Sequence, residues 1–322
     1  MPGPTLMAVR DLTPLRSVAI ALQSFWRHGR PVERMGYAVG SLLLASGAIH
    51  LGILAIGGGP WEGPVSLRKA ATFGLSFGLT LISIVWVATF LRLSERWRVT
   101  LLGTLTAACV LETTLVSLQA WRGVPSHFNL ETTFDGTIAR SLALGGVVLV
   151  AIIGALLLTA FRTQPTVPVS LRIAIRFGFV TLFSSLVVGA VMIAKGMRLV
   201  FGGEAQAAYT TGGMLKPTHA VTMHAILILP LLAWLLSFTD WSERRRVGVV
   251  LLGIGGYSVF AGIVALENII GVPVSKTPQG VAALLAGLAG LATAGFLALN
   301  GVVRSAHIHG LQRDSNPTSS RF

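Results

Sequence analysis

The stretch LALGGVVLVAIIGALLLTAF, residues 142–161, contains no charged side chain. A helix that crosses the hydrocarbon core of a bilayer needs about 20 consecutive apolar residues, and this stretch meets that requirement. The whole chain is 53% hydrophobic and 11% charged, whereas a soluble domain carries roughly 25% charged residues. Because so few polar side chains are available to face water, the sequence predicts an integral membrane protein.

The chain contains eight long apolar runs of this kind. They predict membrane spans at 35–58, 70–92, 99–121, 136–161, 173–197, 218–238, 247–269 and 280–302. The runs are continuously apolar and do not alternate, which favours helices over an outer-membrane barrel. The 37 glycines suit the close approach of helices in a bundle. The predicted fold class is therefore an all-α integral membrane protein with eight transmembrane helices.

Basic residues are unevenly distributed between the loops. The net charge is +13, and with a cytoplasmic N-terminus 17 of the 25 Lys and Arg residues fall in cytoplasmic segments. This is the positive-inside pattern. It predicts that both termini are cytoplasmic (N-in, C-in) and that anionic lipids at the cytoplasmic face are partners. The sequence contains no soluble basic domain, which argues against nucleic-acid binding.

The two ends of the chain lie outside the predicted spans. Arg16 interrupts the first apolar stretch, so residues 1–34 are not interpreted as a cleavable signal peptide. Within this cytoplasmic segment, Leu15, Val18, Leu22 and Trp26 share one stripe, which predicts an interfacial amphipathic helix over 12–26. The tail 303–322 is polar and predicts disorder. A single cysteine excludes a disulfide framework and a CxxC motif.

Two polar motifs recur at a fixed distance along the chain. LQAWRGVP (118–125) resembles LENIIGVP (266–273), and SERWRV (94–99) resembles SERRRV (242–247), both at an offset of 148. Trp86 and Trp234 have the same offset. We therefore predict two four-helix repeats, 35–161 and 173–302. An even number of spans in each repeat makes them insert in parallel, related by an axis along the membrane normal.

Three ionisable residues are predicted inside the outer half of the membrane, where an ionisable group is costly and therefore a functional candidate. His50, Glu112 and His224 lie at similar depths, and the repeat offset places Phe260 opposite Glu112 and Ser76 opposite His224. Two imidazoles and a carboxylate can bind a divalent transition metal. Alternatively, the two histidines can be axial ligands of haem b. A structural ion pair of Glu112 with a nearby cation is the competing interpretation.

A second set of seven polar residues lies at the outer rim, three of them in LQAWRGVPSHFNLETTFD, residues 118–135. Its basic members can bind haem propionates or another anionic group through charge-assisted hydrogen bonds. The alternative is that long basic side chains simply extend to the membrane interface. The predicted cofactor-binding residues are Arg68, Lys69, Gln119, Arg122, His127, Lys195 and Arg198.

Three function classes remain open at this point. The first hypothesis is a haem- or metal-binding membrane redox or enzyme-like protein with a bound small ligand or cofactor. The second is a transporter of a small anionic or polar solute, and the third is a non-catalytic scaffold or lipid-binding protein. The motifs GxSxG, HExxH, Walker A and GxGxxG are absent from the sequence, so no enzymatic reaction is indicated.

Three stretches carry a resemblance to known proteins: RKAATFGLSFGLT (68–80), LQAWRGVPSHFN (118–129) and HAVTMHAILILPLLAWLL (219–236). Together they resemble a family of bacterial polytopic membrane proteins, to which we attach no activity. The resemblance implies a bacterial cytoplasmic (inner) membrane. The 4+4 arrangement is also similar in outline to haem A synthase, whose ligating histidines lie on even-numbered helices. Of those helices, only the sixth predicted span carries intramembrane histidines here.

Overall fold

The computed structural model describes residues 14–209 and 215–314, and every regular element in that part of the chain is a helix. A short 3₁₀ helix, Val274–Lys276, precedes the last α-helix. The α-helices are α1 (Pro14–Arg27), α2 (Pro31–Gly57), α3 (Arg68–Ala88), α4 (Glu95–Trp121), α5 (Thr133–Phe161), α6 (Val169–Phe201), α7 (Ala205–Ala208), α8 (Lys216–Leu236), α9 (Glu243–Ile270) and α10 (Pro278–Asp314).

Eight of these helices, α2 to α6 and α8 to α10, are long and apolar enough to cross a membrane. This confirms the predicted number of spans, and the boundaries agree within a few residues. One prediction differs from the structure, because α10 continues to Asp314 and the first part of the tail 303–322 is helical. The sequence contains no proline between 303 and 314 that would end the helix earlier. The predictions for 1–13 and 315–322 lie outside the described residues.

The bundle has two ends, which we name by their loops. The rim end carries loop 122–132 and the other three loops that follow α2, α6 and α9. The α1 end carries α1 and the short connections 89–94, 162–168 and 237–242. On α1, Leu15, Leu22 and Trp26 are exposed, whereas Val18 and Phe25 pack against the core. The exposed apolar stripe is the feature expected of a helix lying at a lipid interface.

Close backbone packing joins neighbouring helices in both halves of the chain. A Cβ added at Gly74 of α3 would lie 2.6 Å from the Cα of Gly47 on α2. A Cβ added at Gly256 of α9 would lie 2.6 Å from the carbonyl oxygen of Gly287 on α10. Only glycine allows backbones to approach this closely, and small residues at such contacts are typical of membrane bundles.

Two hydrogen bonds at the α1 end recur 148 residues apart. Each closes the turn that follows a helix, after α3 in the first half and after α8 in the second. In the first pair, Thr89 Oγ1 donates to Trp86 O at 2.7 Å and Ser237 Oγ donates to Trp234 O at 2.6 Å. In the second pair, Arg98 Nη2 donates to Leu91 O at 3.0 Å and Arg246 Nη2 donates to Thr239 O at 2.6 Å.

Helices α3 and α8 pack side by side along a line that we call the central seam. At the α1 end of the seam, the rings of Trp86 and Trp234 meet edge to face with centroids 5.8 Å apart. Nearer the rim end, Ser76 Oγ donates to Met223 Sδ at 3.2 Å. An almost wholly apolar cavity of about 40 Å³ adjoins the seam between α3, α4, α5, α6 and α8.

Candidate functional site

Loop 122–132 is anchored at its base by a buried polar network. Gln119 at the end of α4 donates to Asp135 Oδ1 at 2.9 Å, and Arg122 forms an ion pair with the same oxygen at 2.5 Å. Arg122 also donates to the side-chain oxygen of Gln119. Thr132 caps α5 and donates to the other oxygen of Asp135 at 2.6 Å. Two of the predicted cofactor-binding residues, Gln119 and Arg122, therefore hold the loop to α5.

The loop places a second polar group against the start of α3. Lys69 Nζ donates to Ser126 Oγ at 3.0 Å, and this hydroxyl lies 2.9 Å from Nδ1 of His127. The imidazole packs on the ring of Phe73, with centroids 5.9 Å apart. Burial, together with the charge of Lys69, lowers the pKa of His127 from 6.5 to about 3. His127 is therefore a neutral hydrogen-bonding group at physiological pH.

Positive charge accumulates around Lys69. The charged side chains that act on it are those of Lys216, at the start of α8, and Arg68. Arg68 is compensated by an ion pair with Glu62 at 3.1 Å. Lys69 has no such partner: its ammonium group contacts the Ser126 hydroxyl and forms no ion pair with a carboxylate of the described chain. The rim end of the central seam thus carries excess positive charge.

Phe128 fixes the tip of the loop to the second half of the bundle. Its backbone φ is +66°, the one positive value at a non-glycine residue in the described chain, and such a conformation is unusual for a bulky residue. A Cβ added at Gly196 of α6 would overlap the Phe128 ring. The flanking Lys195 and Arg198 are exposed. This contact could not be predicted from the sequence, because residue type does not reveal a positive φ at phenylalanine.

The structure does not bring the three predicted metal ligands together. Within residues 14–209 and 215–314, no group of three or more His, Cys, Asp or Glu side chains is placed to hold a metal ion. His50 lies on α2, which packs against α3 and α4, whereas the helix of His224 packs mainly against α6 and α9. The structure therefore does not support the prediction of one centre built from His50, Glu112 and His224, because equal depth along helices does not make their side chains face each other.

Each of the three residues has a local environment of its own. His50 is buried and uses both ring nitrogens, since Nε2 accepts from Trp121 Nε1 at 2.9 Å and Nδ1 lies 2.8 Å from the carbonyl of Ser46. His224 Nδ1 bonds to the carbonyl of Ala220, one turn earlier on α8. Glu112 is buried against α5. In this arrangement His50 has no nitrogen free to ligate haem iron.

The fold and the site define a helical multi-pass membrane protein with a cationic group at the rim end of its central seam. Comparisons with protein-family models, with curated proteins and with solved structures find no match. The functional argument therefore rests on the residues of this chain.

Proposed function

We propose that this protein binds an anionic group, a carboxylate or a phosphate, at Lys69 in the extracytoplasmic half of a bacterial inner membrane. The observation that supports the proposal is the ammonium group of Lys69, which is bonded to Ser126 and flanked by Arg68 and Lys216, with no carboxylate of the described chain in an ion pair with it. A cation without a carboxylate partner is stabilised when an anion binds beside it, because the two groups form charge-assisted hydrogen bonds.

Helix geometry adds to this attraction. Arg68 and Lys69 begin α3, and Lys216 begins α8. The N-terminal end of a helix carries partial positive charge and unpaired backbone N–H groups, which attract anions. At each start one backbone N–H is already bonded to a side chain, since Arg68 N donates to Ser66 Oγ at 3.1 Å and Thr218 N donates to Asn268 Oδ1 at 3.1 Å. The positive ends of two helices and the charges of Lys69 and Lys216 therefore favour an anionic group at this place.

The proposed orientation places this site outside the cytoplasm. With both termini cytoplasmic, 17 of the 25 Lys and Arg residues lie on the cytoplasmic side, as the positive-inside rule requires. The eight spans are consistent with both termini on one side. The rim end with loop 122–132 is then extracytoplasmic, and the α1 end faces the anionic cytoplasmic leaflet.

We also propose that the bundle is a duplicated four-helix unit. The hydrogen bond from Arg98 to Leu91 and the one from Arg246 to Thr239 support this, since they link the same positions at an offset of 148. Trp86 and Trp234 have the same offset and contact each other across the central seam. The seam then lies where the two units meet, and the Lys69 site is at its outer end.

The binding proposal is tested with purified protein in nanodiscs of zwitterionic lipid. Inorganic phosphate and acetate are titrated against wild type, Lys69→Ala and the matched control Lys195→Ala, whose side chain is exposed on α6. We expect Lys69→Ala to weaken binding by about tenfold or more, equivalent to about 1.4 kcal/mol, and Lys195→Ala to leave it unchanged. Equal effects of the two substitutions would contradict the proposal.

The source of the anion is resolved by a parallel measurement. Native mass spectrometry of protein extracted with its lipids shows whether an anionic lipid is retained by wild type and lost from Lys69→Ala. Retention identifies a lipid headgroup as the anion. Phosphate or acetate binding without retained lipid identifies a soluble anion. Absence of both kinds of binding would overturn the proposal.

Transport of a small anionic or polar solute is the second candidate. The observation in its favour is the cavity beside the central seam, which is lined from α3, α4, α5, α6 and α8 and so lies between the two proposed units. Alternating access in transporters built of repeats takes place between the repeats. Transport is tested in proteoliposomes loaded with phosphate. Exchange of phosphate across the membrane that depends on Lys69 supports transport, whereas phosphate binding without exchange means that the protein only binds the anion.

The haem hypothesis has its own decisive measurement. An absorption spectrum of native membranes, oxidised and then reduced with dithionite, reports a bound haem through its Soret band. A band that shifts on reduction and is lost in His50→Ala or His224→Ala would restore the hypothesis. Retention of the band in both variants would locate the haem elsewhere.

A further inference from the structure

Glu112 is a buried carboxylic acid in the middle of α4. Its side chain is 4% exposed, and its carboxyl group packs on Gly145 of α5, where an added Cβ would overlap Oε1. Oε1 has no hydrogen-bond partner within the described chain. The alternative interpretation, an ion pair of Glu112 with a nearby cation, is not supported, since Arg122 pairs with Asp135 and the side chains of Lys195 and Arg198 are exposed.

No charged group compensates this acid. The titratable side chains on the helices that pack against α4 include Tyr37 and His50 on α2, Lys69 on α3, and Asp135 and Arg140 on α5. None of them contributes a charge interaction with Glu112, and Cys109, one turn earlier on α4, is a buried free thiol. An unpaired carboxylate in apolar surroundings is strongly disfavoured, whereas the protonated acid is tolerated.

Polar and apolar side chains form successive layers along the contact between α4 and α5, starting at the rim end. Gln119, Val116 and Glu112 follow one face of α4 at spacings of three and four residues, as one helical face requires. On α5, Asp135, Ile138, Leu142 and Gly145 follow the facing stripe at the same kind of spacing. Gln119 bonds to Asp135 at one end, and Glu112 meets Gly145 at the other.

A thin apolar layer separates the two polar ends. Val116, Ile138 and Leu142 form a small buried cluster that is distinct from the main core. Glu112 is seven residues from Gln119, a rise of about 10 Å along the helix. Two hydroxyl groups near Glu112 on α4, those of Thr113 and Ser117, are also buried without partners in the described chain. The acid is thus close to the rim network but shielded from it.

We propose that Glu112 is a reversible proton-binding site inside the membrane, reached from the rim end along the contact between α4 and α5. The ligand is a proton, which neutralises the acid in place and is released to the rim end when the apolar layer opens. This inference is independent of anion binding at Lys69. The second half lacks the site, because Phe260 stands 148 residues after Glu112 and α9 packs on α10 through glycine backbones.

The proposal is tested by labelling the full-length protein in native membranes with dicyclohexylcarbodiimide. A protonated carboxyl adds to the carbodiimide and rearranges to a stable N-acylurea without loss of atoms, so peptide mass spectrometry reads the modified residue. We expect Glu112 to be labelled at neutral pH, with labelling that falls as the pH is raised. Glu112→Gln removes the label. The control carboxylate is Glu131, which is exposed in loop 122–132 and which a water-soluble carbodiimide is expected to label.

Glu112→Gln and a second variant, Val116→Ser, make the test independent of folding defects. Glu112→Gln is neutral and similar in shape, so it should retain the thermal stability of wild type if the acid is protonated. Val116→Ser adds a hydroxyl to the apolar layer and should speed labelling of Glu112 several-fold. An unlabelled Glu112 in wild type, or labelling that does not change with pH, would overturn the proposal whatever the variants do.

Discussion

Trp86 and Trp234 are 148 residues apart in the sequence, and their rings meet edge to face with centroids 5.8 Å apart. Phe25 of α1 contacts both, at 6.2 Å from the Trp86 ring and 6.1 Å from the Trp234 ring. Edge-to-face aromatic pairs contribute about 0.5–1.5 kcal/mol each beyond the area that they bury. One side chain of an amphipathic helix therefore closes the α1 end of the central seam.

Replacing Phe25 with alanine is expected to lower the free energy of unfolding by about 2–4 kcal/mol, near the range for truncation of a packed aromatic residue. Trp26, the next residue, is 52% exposed, so Trp26→Ala is the matched control, with an expected change within about 0.5 kcal/mol. Thermal unfolding in detergent, followed by circular dichroism, measures both. Equal losses would show that α1 is not held by its Phe25 face.

The membrane spans could be predicted because their signal is local. Each span needs only enough apolar length to satisfy the bilayer, and residues 142–161 provide it without reference to any neighbour. The offset between Trp86 and Trp234 was also visible in the sequence. The contact between their rings could not be predicted in the same way, because that requires knowing that α3 packs against α8.

The candidate site was harder to predict, since it depends on which faces meet. His50, Glu112 and His224 have similar predicted depths, but depth says nothing about rotation around each helix. His50 faces Trp121, and Glu112 faces Gly145. Lys69 and His127 were identified by residue type, while the serine that joins them, Ser126, was seen only in the structure.

Arg98 forms a buried ion pair with Glu33 at 3.1 Å, and both side chains are 3% exposed. Arg98→Ala leaves the buried Glu33 carboxylate with Arg30 as its remaining cation, so we expect a loss of about 3 kcal/mol, at the lower end of the range for breaking a buried ion pair. Arg246 is the equivalent residue of the second half. Its side chain is 19% exposed and pairs with Glu243 at 3.6 Å, so Arg246→Ala should cost clearly less. Chemical unfolding in mixed micelles measures the difference, and the reverse order would refute this account.

Gly74 allows the backbone of α3 to pack directly against the backbone of α2. Gly74→Ala would place a Cβ 2.6 Å from Gly47, and forcing the helices apart should cost about 1–3 kcal/mol. Gly103 of α4 has no atom within 4 Å of the equivalent position. Gly103→Ala should therefore be neutral or slightly stabilising, because alanine is the better helix former. The measurement is the melting temperature of the two variants. An equal decrease in both would show that alanine is poorly tolerated in either helix and that the contact at Gly74 is not the cause.

The lowered pKa of His127 makes the stability of the protein depend on pH. In the folded protein this pKa is about 3, against an ordinary value of 6.5, so the unfolded chain binds the proton more readily between these values. The stabilisation is complete above pH 6.5 and is lost as the pH falls towards 3. In His127→Asn, which keeps an acceptor near Ser126, this dependence should be absent. The measurement is the melting temperature of both proteins across that pH range, and parallel curves would exclude His127 as the cause.

The hydrogen bond from Trp121 to His50 joins the rim ends of α4 and α2 at 2.9 Å. A double-mutant cycle with Trp121→Phe and His50→Phe isolates its contribution, because each substitution keeps an aromatic ring and removes one partner. We expect a coupling energy of about 1 kcal/mol, typical of a hydrogen bond between neutral groups. His50→Phe alone should cost more than the coupling, since it also removes the bond to Ser46. A coupling near zero would mean that His50 is available to another ligand, which is the condition that haem binding requires.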